Sequence, residues 1–170
     1  MKMVELLGTS HRFQYGAPDC SEEEEAAFIS LLKELASRSK VAALAEEACE
    51  ELMVRQPRLE STCATAAREL KIADLYCEPS QSVRGKLGVR GHQAIEQDAW
   101  LLHWPQEQKL AEHAKEFAVR ENYWSVQLLM ADTWPVLFVC GAEHIRSFST
   151  MLKSHGVVSK VVCNDWTPNE

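Results

Sequence analysis

"PVLFVCGAEHIRSFSTMLKSHGVVSKVVC", residues 135–163, decides the fold. Pro135 stops any helix arriving from upstream, and residues 136–140 form an unbroken apolar run of strand length. Residues 145–155 carry apolar side chains at helical spacing, Gly156 stands where a helix C-cap glycine belongs, and residues 157–163 are rich in β-branched valine. A strand, a helix and a second strand in that order form a parallel crossover unit, because two parallel strands need a long connection.

The same grammar runs upstream. Leu110, Ala114, Phe117, Glu121, Trp124 and Leu128 keep helical period across residues 106–132, which predicts a long helix leading into Pro135. Near the N-terminus, residues 4–7 read as a strand. Ser21 with Glu24 has capping-box spacing, and Phe28, Leu31, Leu32 and Leu35 follow on one helical face. Residues 41–45 predict a second strand running into Glu46 and Glu47, Ser61 an N-cap before an Ala-rich helix, and residues 72–77 a third strand stopped by Glu78 and Pro79. The polar middle, 81–105, holds Gly85, Gly88 and Gly91 and predicts short helices and loops, with Trp100 and Trp104 expected against the core. The expected architecture is one α/β domain over residues 1–170. Its mostly parallel sheet has about five strands and helices on both faces.

With 170 residues, 46% of them hydrophobic, the chain can bury a real core. Eighteen Lys and Arg against 25 Asp and Glu give a net charge of -7, which argues against nucleic acid or an anionic membrane as partner and leaves a small-molecule or peptide substrate. The opening apolar run is too short for a signal-peptide core and no stretch approaches the roughly twenty apolar residues of a membrane span, so a cytoplasmic protein is expected. Six scattered cysteines without a Cys-x-x-Cys pair fit a reducing compartment. Oligomeric state is not legible. No phosphate loop, dinucleotide fingerprint or nucleophile elbow is present, so no nucleotide cofactor is expected.

In open α/β sheets ligands bind beyond the carboxyl ends of the strands. There the first strand deposits Ser10 and His11, the second Glu46 and Glu47, the third Glu78, and the fourth Glu143 and His144. Both histidines close a Gly-x-x-His ending, after Gly8 and Gly141. Glycine there permits a sharp turn or close approach to a ligand. Two imidazoles and a carboxylate are a reasonable shell for zinc, manganese or iron, which gives His11, His144 and Glu46 as candidate metal ligands. One of Glu46 and Glu47 is the candidate general base for a metal-bound water. On the long helix Glu121 interrupts an apolar stripe and needs a partner such as arginine or a metal, which singles out Arg120 and Glu121 beside Asn122. Arg84, with Lys86, Arg90 and His92, offers a basic loop able to hold an anionic substrate group.

The segments "LLGTSH", Glu46-Glu47, "RENYW" and "VLFVCGAEH" together resemble the TraB/TIKI superfamily, which includes ChaN-like and erythromycin-esterase-like proteins. That resemblance implies an α/β fold and a metal-dependent hydrolase, in some members a peptidase. It assigns Gly8 with His11 and Gly141 with His144 to the two Gly-x-x-His motifs, Glu46 or Glu47 to the acid between them, and Arg120 with Asn122 to the helix pair. The chain is shorter than typical members and interposes Glu121 in that pair. The alternatives are a non-catalytic module binding a small anionic ligand on the same scaffold, and a protein-interaction module.

Overall fold

The computed structural model describes residues 1–54 and 60–168. The elements are β1 (Met3–Thr9), α1 (His11–Tyr15), α2 (Glu22–Ser39), β2 (Ala43–Glu46), α3 (Glu50–Val54), α4 (Thr62–Leu70), β3 (Ala73–Tyr76), α5 (Gln81–Leu87), α6 (His92–Leu101), α7 (Gln106–Ala131), β4 (Val136–Gly141), α8 (Ile145–Ser154) and β5 (Val158–Trp166), with one 3-10 turn, Ala142–His144, between β4 and α8. The five strands form one sheet in the order β3-β2-β4-β1-β5, and every neighbouring pair is parallel. The α/β architecture read from residues 135–163 is therefore the observed one.

Strand alternation divides the core. Val4, Leu6, Val136, Phe138 and Cys140 face Trp124 and Leu128 of α7 and Ile145, Phe148 and Leu152 of α8. Leu7, Leu44, Leu137 and Val139 face the other way, onto Phe28, Leu32 and Leu35 of α2 and Cys63, Ala66 and Ala67 of α4. Each fully buried side chain of this size contributes about 1.5–3 kcal/mol. Crossovers that lead towards β3 thus run over one face and those that lead towards β5 over the other, as right-handed connections require. The chain order reverses direction at β2 and β4, so a crevice opens at their carboxyl ends.

Local signals act as expected at α2, where Ser21 and Glu24 form a full capping box. Other expectations change. Trp100 is 76% exposed, since α6 buries chiefly Ile95. His11 opens a short helix that the sequence did not predict, α1, whose N-cap is Ser10 and whose end is set by Gly16 at φ 60°. All six cysteines are free, and among the described residues no helix is long and apolar enough to cross a membrane.

The two motif glycines have different physical reasons. A Cβ on Gly8 would lie 1.9 Å from the Asn164 carbonyl oxygen and 2.8 Å from Ile145, so only glycine lets β1 lie this close to β5 and α8. Gly8→Ala is expected to cost about 1–3 kcal/mol, typical of overpacking, read as a lower urea midpoint. A midpoint equal to wild type would contradict this packing.

Candidate functional site

The carboxyl ends of β1, β2, β3 and β4 meet around the Arg120 guanidinium, delivered from the middle of α7. Its Nε and Nη2 donate to the two oxygens of Glu78 at 2.9 and 3.0 Å, Nη2 also donates to Glu47, and Nη1 donates to His144 Nε2 at 3.3 Å. Four of its five N–H groups are thereby used, and one on Nη1 remains. Glu78 further accepts from Trp124 Nε1 at 2.7 Å and from Arg84.

Glu47 is the common partner of the two motif histidines. His11 Nε2 lies 3.6 Å and His144 Nε2 3.7 Å from its Oε1, while its Oε2 accepts from the Gly141 N–H at 2.9 Å. Burial alone would raise its pKa; the Arg120 guanidinium, with the Gly141 amide, reverses this and holds it below the ordinary carboxylate value. Glu47 is thus a fixed anion that stabilises the fold at neutral pH, a contribution lost only as acid protonates it.

The two imidazoles have unlike roles. His144 is fully buried; its Nδ1–H donates to Glu121 at 2.8 Å, which leaves Nε2 to accept from Arg120, and Phe117 and Trp124 pack against the ring. Glu121 also accepts from Ser147 at 2.6 Å, so the carboxylate on the apolar stripe finds a histidine and a serine, not Arg120. His11 is 45% exposed. Its Nδ1–H donates to Gln14 Oε1 at 3.2 Å, Gln14 Nε2 donates to Glu46 at 3.0 Å, and Ser61 donates to the other Glu46 oxygen. This chain turns the ring and favours a proton on Nδ1, with Nε2 directed to the cleft beside Glu47. Burial drives the Glu46 pKa from 4.5 to about 7, only partly opposed by hydrogen bonds from Ser61, Gln14 and Cys63. Tyr15 stacks on His11 and donates to the Glu47 carbonyl, and burial followed by the charge of Glu47 keeps its hydroxyl protonated.

A cleft of about 340 Å³ opens above these groups, lined by His11, Tyr15, Glu47, Arg84, Arg120 and Glu143 among others. The volume suits a small molecule or the end of a peptide. Glu46 and Glu121 lie behind it, Glu121 against the His144 ring and Glu46 against Gln14, which holds His11. Ser10 caps α1 and is exposed beside the cleft without lining it. Asn122 is absent from the cleft: two residues along a helix from Arg120 it faces elsewhere, and it accepts from His155 at the far end of α8.

The donor set does not fit a metal ion on His11, Glu46 and His144. Glu46 is turned to Gln14 and Ser61, and Arg120 already occupies the His144 lone pair and the Glu47 oxygen that an ion would need. Among the described residues the group of three ligand atoms within 4.8 Å of one another is His92, Glu96 and His113, on α6 and α7. The sequence reading missed Gln14, Tyr15, His113 and Glu116, of which Gln14 had a signal: it sits three residues after His11, inside a segment bounded by Ser10 and Gly16.

Comparison of the chain with protein-family models, with curated protein sequences and with solved structures finds no match.

Proposed function

We propose that the chain is a hydrolase for a small polar molecule or short peptide, working in the cleft at the strand carboxyl ends with His11 as general base. One observation carries this reading: a half-exposed imidazole whose Nδ1–H is tied to Gln14 and Glu46 turns an open Nε2 towards Glu47 in the cleft that Arg120 also lines. His11 Nε2 takes a proton from water as the water oxygen bonds to the substrate carbonyl carbon. The anion of Glu47, 3.6 Å away, stabilises the imidazolium so formed. The negative charge gathering on the carbonyl oxygen is met by the remaining Arg120 N–H. When the carbon–leaving-group bond breaks, the imidazolium returns its proton to the leaving group. His144 and Glu121 act through Arg120 and are positioning residues.

The cleft's charge favours this over capture of an anion. Its lining carries the carboxylates of Glu47, Glu78, Glu116 and Glu143 against the guanidiniums of Arg84 and Arg120, which repels an anionic ligand and accepts a neutral or cationic one. The chain order of Gly8, His11, Glu47, Arg120, Gly141 and His144, all gathered at one edge, supports a distant relation to the TraB/TIKI superfamily. Buried thiols at Cys63, Cys77 and Cys140 support work in a reducing compartment such as the cytoplasm.

The test is turnover of a panel of nitrophenyl esters and peptide nitroanilides. His11→Ala is expected to lower kcat by about 10²–10⁴, the usual contribution of a general base, without loss of fold. Gly141→Ala adds a methyl 3.4 Å from His11 Nε2 and 3.5 Å from Glu47 Oε2; it should fold and still lose turnover. Turnover unchanged in His11→Ala, or no turnover of any panel member by the folded wild type, contradicts the reading.

A further inference from the structure

We propose that His92, Glu96 and His113 form a binding site for one divalent transition-metal ion, zinc by preference, on the α6–α7 helix pair. The site stands on its own ligand geometry and is independent of the hydrolase reading. His92 and Glu96 are four residues apart on α6 and so share a face, and α7 runs back against α6 to bring His113 opposite them. His113 Nε2 lies 2.9 Å and His92 Nε2 3.9 Å from the same oxygen, Glu96 Oε1, and the two rings stack with centroids 4.6 Å apart. Tetrahedral zinc with bonds of about 2.0–2.2 Å separates its ligand atoms by about 3.3 Å, between those two distances. Small rotations of side chains that are partly or largely exposed reach it.

The donor chemistry is selective. Two imidazole nitrogens and one carboxylate oxygen suit zinc, cobalt or nickel and disfavour magnesium and calcium, which take oxygen ligands. Three protein ligands leave a fourth position for water or substrate, the arrangement of catalytic rather than structural zinc. His92 and His113 line the same cleft as His11 and Arg120, so an ion here borders the substrate space without displacing the guanidinium at the strand ends. The chief competitor is Lys109, whose Nζ lies 3.2 Å from Glu96 Oε2 and whose ammonium opposes a second positive charge.

The experiment is a titration of chelator-treated, untagged protein with zinc chloride in competition with a chromophoric chelator. Wild type should bind one zinc per chain; His113→Ala and Glu96→Gln should each weaken it at least about tenfold, since loss of even an outer partner typically costs 10–100-fold. Lys109→Met should bind zinc more tightly than wild type, a gain that general damage to the helix pair would not produce. His11→Ala should bind as wild type does. Binding that survives in a His92→Ala, His113→Ala double variant of normal melting temperature, binding lost in His11→Ala, or no stoichiometric binding by wild type or by Lys109→Met overturns the site. Activity of any kind is not needed to read the result.

Discussion

Arg120→Ala should cost about 3–5 kcal/mol, the range for breaking a buried ion pair from one side. The Arg120 side chain is 14% exposed; it neutralises Glu47 and shares Glu78 with Arg84, and both carboxylate side chains are 3% exposed. Its removal leaves buried Glu47 without a guanidinium and Glu78 with Arg84 as its remaining one, and deprives His144 Nε2 of its donor. Because a domain of this kind is stable by about 5–15 kcal/mol, the loss takes a large share of the whole. Urea unfolding followed by tryptophan fluorescence measures it. Arg120→Lys should recover only part, since an ammonium cannot direct donors along the Nε, Nη1 and Nη2 axes used here. Arg120→Met combined with Glu47→Gln and Glu78→Gln should recover much of the loss by removing the charges together. A single-variant loss below about 1 kcal/mol, the scale of a surface pair, would show that this network is open to solvent.

Glu46 predicts a pH signature of similar size. The folded chain holds its proton up to about pH 7 against an ordinary value of 4.5, so the unfolded chain releases it first as pH rises. Stability from this group is full below about pH 4.5 and falls up to about pH 7, by about 3 kcal/mol for a rise of this extent. Glu47 has the opposite sign, being held low, so the effect is cleanest as a difference between variants. Glu46→Gln should match wild type near pH 4.5 and exceed it by up to about 3 kcal/mol at pH 8, measured by urea unfolding across that range. A pH-independent difference would mean that Glu46 is ionised in the folded chain throughout.

The sheet was legible in the sequence because parallel strands buried on both faces read as continuous apolar runs, as in residues 136–140. So were the polar residues that each strand delivers to its carboxyl edge. The pairing among them was not. Arg120 and Glu121 are adjacent in sequence yet do not pair: Arg120 meets Glu47 and Glu78, Glu121 meets Ser147, and the two hold opposite nitrogens of His144. Those partners depend on the strand order β3-β2-β4, which local periodicity does not encode. A five-residue helix such as α1 offers only its Ser10 cap and Gly16 stop as signals, which place Gln14 near His11 but do not orient the ring. The His92, Glu96 and His113 group needs α6, from the polar middle of the chain, folded back on α7, a contact between helices that the periodicity of either one alone does not encode.

The proposed chemistry depends on an unprotonated His11 Nε2 facing the cleft. Long-range ¹⁵N–¹H correlation on histidine-labelled protein at about pH 8.5, where an ordinary imidazole is neutral, reports the tautomer directly. His11 should carry its proton on Nδ1, held by Gln14, and Gln14→Leu should shift the ring towards a mixture of tautomers. A proton fixed on Nε2 in wild type would aim a donor at Glu47, remove the base from the cleft and contradict the account.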